Sequence, residues 1–292
     1  VTPATPASLR AGGAALAAPL PPLLAGAEHL ATTVILGDHG RRRAGLGDDF
    51  WQYRPAQPHD GARSIDWRRS ARSDAAFVQD KEWQIAQSVV LWVDGSAAMG
   101  FASRPALPPK GERARLLALA LAILLLRGGE RVGLTGLRLP PRRGHAQADR
   151  IAEIFCEADP ADYGAPTSMG MQPHSRALFA SDFLGDPAPA EAALTTAADR
   201  GVKGVLLQVL DPAEEAFPYD GRTIFQSMGG TLRHETLQAG DLRARYLARL
   251  AARKDHLARL ARATGWHYHC HHTDTPPAAA LLWLWRAIER HA

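Results

Sequence analysis

Cysteine and lysine are the scarce residues of this 292-residue chain. Cys156 and Cys270 lie far apart and form no C-x-x-C pair, which argues against a disulfide framework and fits a reducing compartment. Lysine occurs only at Lys81, Lys110, Lys203 and Lys254, so arginine supplies nearly all of the 34 basic side chains. These face 30 acidic ones, and a formal charge of +4 is too even a balance to argue nucleic-acid binding by itself. Long hydrophobic runs are also missing. Leu116–Leu126, bracketed by Arg115 and Arg127, falls short of the roughly 20 apolar residues that cross a bilayer and reads as a buried helix. The Ala/Leu/Pro stretch 11–27 is broken by Pro19, Pro21 and Pro22 and has only Arg10 before it, a poor secretion signal. The expectation is a cytoplasmic protein without membrane insertion. There is no G-x-S-x-G elbow, no phosphate-cradling G-x-x-x-x-G-K-[ST] and no H-E-x-x-H, so nothing in the sequence supports an enzyme.

What is present, 46% hydrophobic and 22% charged residues, is the composition of an ordinary globular protein with one large domain or one domain and an appendage. Up to about Gly37 the chain reads as a short helix and loop, and Gly40–Asp80 is charged, aromatic and without helical period. From Gln87 strand-length apolar runs alternate with helical segments, the pattern of a parallel α/β sheet. The strands are expected at Ser88–Asp94, Arg131–Leu139, Arg176–Ser181, Lys203–Leu210 and Trp266–His271. Helices are expected at Gly111–Arg127, Ala146–Ala158, Ala188–Arg200, Asp241–Thr264 and Pro277–Arg290. Pro140-Pro141-Arg142-Arg143-Gly144 marks a loop. The domain expectation is an N-terminal segment, 1–81, packing on a main domain, 82–292.

Asp94-Gly95-Ser96-Ala97-Ala98-Met99 follows the run Val89–Val93, so a carboxylate and a hydroxyl arrive together where a buried strand ends. Open α/β sheets bind ligands in the crevice outside their carboxyl strand ends. Asp94 and Ser96 offer hard oxygen ligands suited to Mg2+ or Mn2+, while Ala98 offers none. The densest polar stretch is Gln57–Arg72. There Arg63, Arg68, Arg69 and Arg72 can fork onto a phosphate or an acidic partner, or pair internally with Asp60 and Asp66 over a packed Trp67.

Taken in order, Asp60-x-x-Arg63-x-Ile65-Asp66-Trp67-x-x-Ser70-Ala71-Arg72 and Asp94-x-Ser96-x-x-Met99 make a specific pattern. They continue with Gly129-Glu130-Arg131-Val132-Gly133-Leu134, Ser181-Asp182-Phe183-Leu184, Asp211-Pro212-Ala213-Glu214-Glu215 with Phe217-Pro218, and Gly265-Trp266 before His272-Thr273-Asp274. The set resembles the bacterial family filed as domain of unknown function 58. The resemblance covers roughly residues 40–275. It implies a doubly wound, mostly parallel sheet like the von Willebrand factor type A domain, with a metal-ion-dependent adhesion site. On that resemblance Asp94, Ser96 and Asp182 would hold Mg2+ or Mn2+, with Thr167 as the distant Thr ligand and Ala98 in place of the second Ser. Asp60, Arg63, Asp66 and Arg72 would contact a partner. It further implies a non-catalytic adaptor for a MoxR-type AAA ATPase in chaperone-like maturation of a client.

Three other readings stay open. Asp94 and Asp182 could serve a metal-dependent hydrolase. Arg41-Arg42-Arg43 with Arg68-Arg69 could bind nucleic acid. His267, His269 and His271 alternate along the last strand, with Cys270 and His272 on its other face. Two such histidines can share zinc, but a clear acidic or Cys partner nearby in sequence is the missing element.

Overall fold

The computed structural model describes residues 5–18, 44–56, 65–71, 76–82, 87–136, 138–157, 159, 161–230 and 233–289. Asp60, Arg63, Arg72 and Arg41–Arg43 lie outside them. The chain divides into two compact units, Val1–Leu24 with Gln87–Ala292, and Ala25–Ala86. The N-terminal helix α1 (Pro6–Ala17) thus falls in the first unit.

In the smaller unit β1 (Ala44–Pro55) pairs antiparallel with β2 (Phe77–Glu82), a strand pair where no regular structure was expected. Between them Asp66 caps the single-turn helix α2 (Trp67–Ser70), its Oδ1 accepting from the Arg68 and Arg69 amides at 3.1 Å. The Arg69 guanidinium lies 5.6 Å from the Phe77 ring centroid. Trp67 is 63% exposed, so the packed Trp67 of the internal-network reading is not found.

The larger unit is built on a six-stranded sheet. Its strands are β3 (Ser88–Val93), β4 (Arg131–Leu134), β5 (Leu139–Arg142), β6 (Arg176–Ser181), β7 (Lys203–Leu210) and β10 (His267–His272). They lie in the order β10-β7-β6-β3-β4-β5, all parallel except β5. The expected single strand Arg131–Leu139 is therefore a hairpin turning at Gly136 (φ 72°), and the proline stretch expected as a loop forms the edge strand β5. A Cβ on Gly133 would sit 2.6 Å from Leu139 O and Pro141 N, so glycine there lets β5 approach. Prolines that cannot donate are tolerated because β5 is the edge strand of the sheet among the described residues.

Helices cover both faces. The period-two alternation sends Leu178 and Ala180 of β6 to one core and Ala177 and Phe179 to the other. On the first face lie α3 (Lys110–Arg127), α4 (His145–Phe155) and α8 (Pro277–Glu289), together with α1. On the second lie α5 (Ala188–Asp199) and α7 (Gly240–Thr264). The apolar run in α3 is buried almost all round because α1 packs outside it. A Cβ on Gly13 would stand 3.2 Å from Leu119 Cγ, which sets how close the two helices come. One-turn α6 (Pro212–Ala216) follows β7, and a hairpin of β8 (Thr223–Gln226) and β9 (Arg233–Thr236) leads into α7.

From β3 the chain builds outward through β4 and β5, then returns to β3's other side for β6 and continues through β7 and β10. The strand order reverses between β3 and β6, which places Asp94 and Asp182 at adjacent strand ends beside the crevice where such sheets bind ligands.

Candidate functional site

Four carboxylates gather at these strand ends, and each is already engaged. Asp94 Oδ1 accepts from the Ser96 amide at 2.9 Å and Oδ2 from the Ser181 hydroxyl at 2.6 Å. Asp182 Oδ1 accepts from the Leu184 amide, and Gln208 Nε2 donates to Asp182 O at 2.7 Å. Phe183, the next residue, sits in the left-handed region (φ 51°), a strained turn of the kind that functional sites retain. Asp211, after β7, accepts from the Ala213 and Ser103 amides. Glu214 Oε2 closes the α6 capping box by accepting from the Asp211 amide at 2.8 Å.

The group that organises them is Lys110, the first residue of α3. Its Nζ donates to Asp182 Oδ2 and to Glu214 Oε1, each at 2.6 Å, and its side chain is 2% exposed. Burial works against the ammonium, yet the two carboxylates outweigh it and hold the Lys110 pKa above the ordinary lysine value. Sequence reading passed over Lys110. The available signal was a rare lysine immediately before an apolar helix.

These residues do not fit a resident Mg2+ or Mn2+. Metal–oxygen bonds of about 2.1 Å mean that an ion on Asp182 Oδ2 would lie within roughly 4.7 Å of Lys110 Nζ. At an effective dielectric constant near 20 that is a gross repulsion of about 7 kcal/mol. The Asp94 carboxylate is closed off by Gly164, whose Cβ, if present, would fall 2.2 Å from Oδ1. The cavity beside Asp94 and Asp182 measures about 20 Å3, room for about one water. Thr167 is not brought to it: its Oγ1 accepts from the Met169 amide, and it lines a separate cleft of about 390 Å3 with Gly95 and Arg138. Ser96 Oγ is buried with no hydrogen-bond partner among the described residues, and the Ala98 side chain contributes no ligand.

Beside Glu214 opens an aromatic groove of about 570 Å3 that sequence reading did not anticipate. Phe217 is its floor, held in the left-handed region (φ 42°) at the end of α6. Its ring centroid lies 4.9 Å from Tyr246, 5.3 Å from Tyr219 and 5.8 Å from Phe225. Exposed Arg245, Arg249 and His234 form the rim. Phe217-Pro218 marked the place in sequence, but the other walls come from the β8–β9 hairpin and α7.

The histidines of β10 separate. His267 and His269 pack on Trp283, the latter stacked at 4.6 Å. His271 Nε2 lies 3.0 Å from the Arg113 guanidinium, which also donates to Thr273 O and Thr275 O. Burial first, then Arg113, push the His271 pKa down to about 4. On the other strand face Cys270 and His272 meet Glu215, an acidic residue distant in sequence, with their donor atoms within 4.8 Å of one another. Lys254 already bonds Glu215 there.

Comparison with known proteins places this chain in a family. The family described as "Protein of unknown function DUF58" matches residues 52–256. The chain belongs to that family. Uncharacterized proteins Rv1480 of Mycobacterium tuberculosis and Mb1516 of Mycobacterium bovis are each 27% identical to this DUF58 chain over 248 residues, which cover 80% of it and 77% of them. Among solved structures, conserved hypothetical protein BatB from Bacteroides thetaiotaomicron matches with a TM-score of 0.42 and 15% identity, covering 70% of this chain and 98% of that one. An aerotolerance-related membrane protein from Bacteroides fragilis matches with a TM-score of 0.41 and 14% identity, over 71% and 100% of the two chains. Among the described residues of the DUF58 chain no helix is long and apolar enough to cross a membrane.

Proposed function

We propose that this DUF58 protein is a cytoplasmic, non-catalytic protein-binding adaptor of von Willebrand A-like build, working with a MoxR-type AAA ATPase in chaperone-like maturation of a client. The observation that carries the binding role is the aromatic groove beside Glu214, with its arginine rim. Aromatic side chains and arginine are the residues that dominate binding energy at protein interfaces. The groove volume falls within the range of pockets that bury a ligand. Its occupant is a partner segment with an aromatic or aliphatic anchor flanked by carboxylates, the anchor seated on Phe217 and Tyr246 and the acids on Arg245 and Arg249.

The strand-end carboxylates favour binding over hydrolysis. Asp94 and Asp182 are committed to amides, a hydroxyl and an ammonium, which leaves no free base beside a substrate-sized space. The test is capture of a MoxR-type ATPase by the tagged protein, compared with an Arg245→Glu/Arg249→Glu variant. The adaptor reading expects capture by the wild type and a loss of at least about tenfold in the variant. Equal capture by both, or none by either, refutes it.

A further inference from the structure

We infer that the ammonium of Lys110 is the built-in cation of the strand-end carboxylates, taking up Asp182, one of the carboxylates that the adhesion-site resemblance assigns to a divalent metal. The inference goes beyond the adaptor reading and holds whichever partner the protein has. Three observations converge on it.

Lys110 occupies a place where a cation is disfavoured twice over. It is the first residue of an 18-residue helix, whose N-terminus favours anions, and it is buried. A lysine there persists only if something local offsets both costs, and among the described residues the charge partners its Nζ bonds are Asp182, after β6, and Glu214, after β7. The cation therefore ties two neighbouring strand ends together, as a shared metal would.

The choice of residue is the second observation. Almost every basic side chain in this sequence is arginine, yet this position carries one of only four lysines. An ammonium is a compact charge with three donors, closer to an ion in shape than the flat guanidinium fork. Two of the three donors reach carboxylates at 2.6 Å, and Nζ lies 5.7 Å from the Phe101 ring centroid. The third observation is the closure of the neighbouring ligands: Gly164 sits against Asp94, Thr167 faces another cleft and Ala98 has no side-chain oxygen. With the charge supplied covalently, the site is complete whatever the divalent-ion concentration, and binding at this face survives chelation.

The experiment is titration of the full chain with Mn2+, followed by electron paramagnetic resonance, and with Mg2+ by calorimetry. The expected result is no saturable binding by the wild type. Lys110→Ala should then gain a divalent site, with affinity at least about tenfold above wild type, which is lost again when Asp182→Asn is added. Saturable binding by the wild type that disappears in Asp182→Asn overturns the inference. So does a folded Lys110→Ala protein that binds neither ion better than the wild type. If Lys110→Ala does not fold, Lys110→Ala/Glu214→Gln removes one charge of each sign and is read with the same two outcomes.

Discussion

Replacing Gly164 by alanine probes how tightly the Asp94 site is closed. The added methyl would stand 2.2 Å from Asp94 Oδ1, 2.5 Å from Cγ and 2.9 Å from Oδ2, where ordinary contact begins at 3.4 Å. Gly164 does not use the left-handed region, so the alanine backbone itself is unstrained and the cost is the collision alone. Neither side can yield cheaply. Asp94 is held by the Ser96 amide and the Ser181 hydroxyl, and the neighbouring loop is pinned where Ala161 O and Asp162 O accept from the Ala97 and Ala98 amides at 2.9 and 3.0 Å. Overpacking costs about 1–3 kcal/mol, and losing a hydrogen bond to an ionised carboxylate adds about 1.5–3 kcal/mol. A total near 4 kcal/mol corresponds to a midpoint lower by about 10 °C for a unit of this size. Denaturant unfolding of wild type, Gly164→Ala, Asp94→Ala and the double variant gives the coupling. In the Asp94→Ala background the glycine substitution should cost less than about 1 kcal/mol, because the atoms it strikes are gone. An equal cost in both backgrounds, or a Gly164→Ala protein within about 0.5 kcal/mol of wild type, refutes the closed site.

The His271 imidazole, neutral in the fold with its pKa near 4, contributes stability that is fully present above the unfolded value of 6.5 and is lost as pH falls from there toward 4. Unfolding curves across that window should show His271→Gln with a flatter pH dependence than wild type. Arg113→Met leaves Thr273 O and Thr275 O without their donor, and should both destabilise the protein by about 2–4 kcal/mol and move the His271 titration upward by NMR. Gly204→Ala puts a Cβ 2.0 Å from Ala177 O on the neighbouring strand, so its expected outcome is loss of soluble folded protein, read by circular dichroism.

Much of the fold was legible because its signals are local. The runs at 88–94, 176–181 and 203–210 have strand length and strand composition, and each becomes a parallel strand with Asp94, Asp182 or Asp211 at or just beyond its end. The long helices announce themselves by period, within one or two residues of the observed bounds. Failures came where a local pattern was overridden by a neighbour. Residues 131–139 look continuous, but the Gly136 turn folds β5 back on β4, and Gly133 makes room for two prolines. β1 with β2 and β8 with β9 are antiparallel pairs whose strands lack an alternation strong enough to see alone.

The candidate site divides in the same way. Asp94, Ser96 and Asp182 were identified as strand-end groups and lie at adjacent strand ends; Thr167, assigned through a resemblance over variable loop sequence, belongs to another cleft. By itself the sequence determined a parallel α/β sheet with carboxylates at its carboxyl ends, because hydrophobic period and strand length are properties of short stretches. Which cation those carboxylates meet was decided only by the tertiary structure. Lys110 is 72 residues from Asp182 and 104 from Glu214, and only the reversal of strand order between β3 and β6 brings the start of α3 over both. Charge pairing in a buried site depends on distance in space, and no pattern along the chain encodes it.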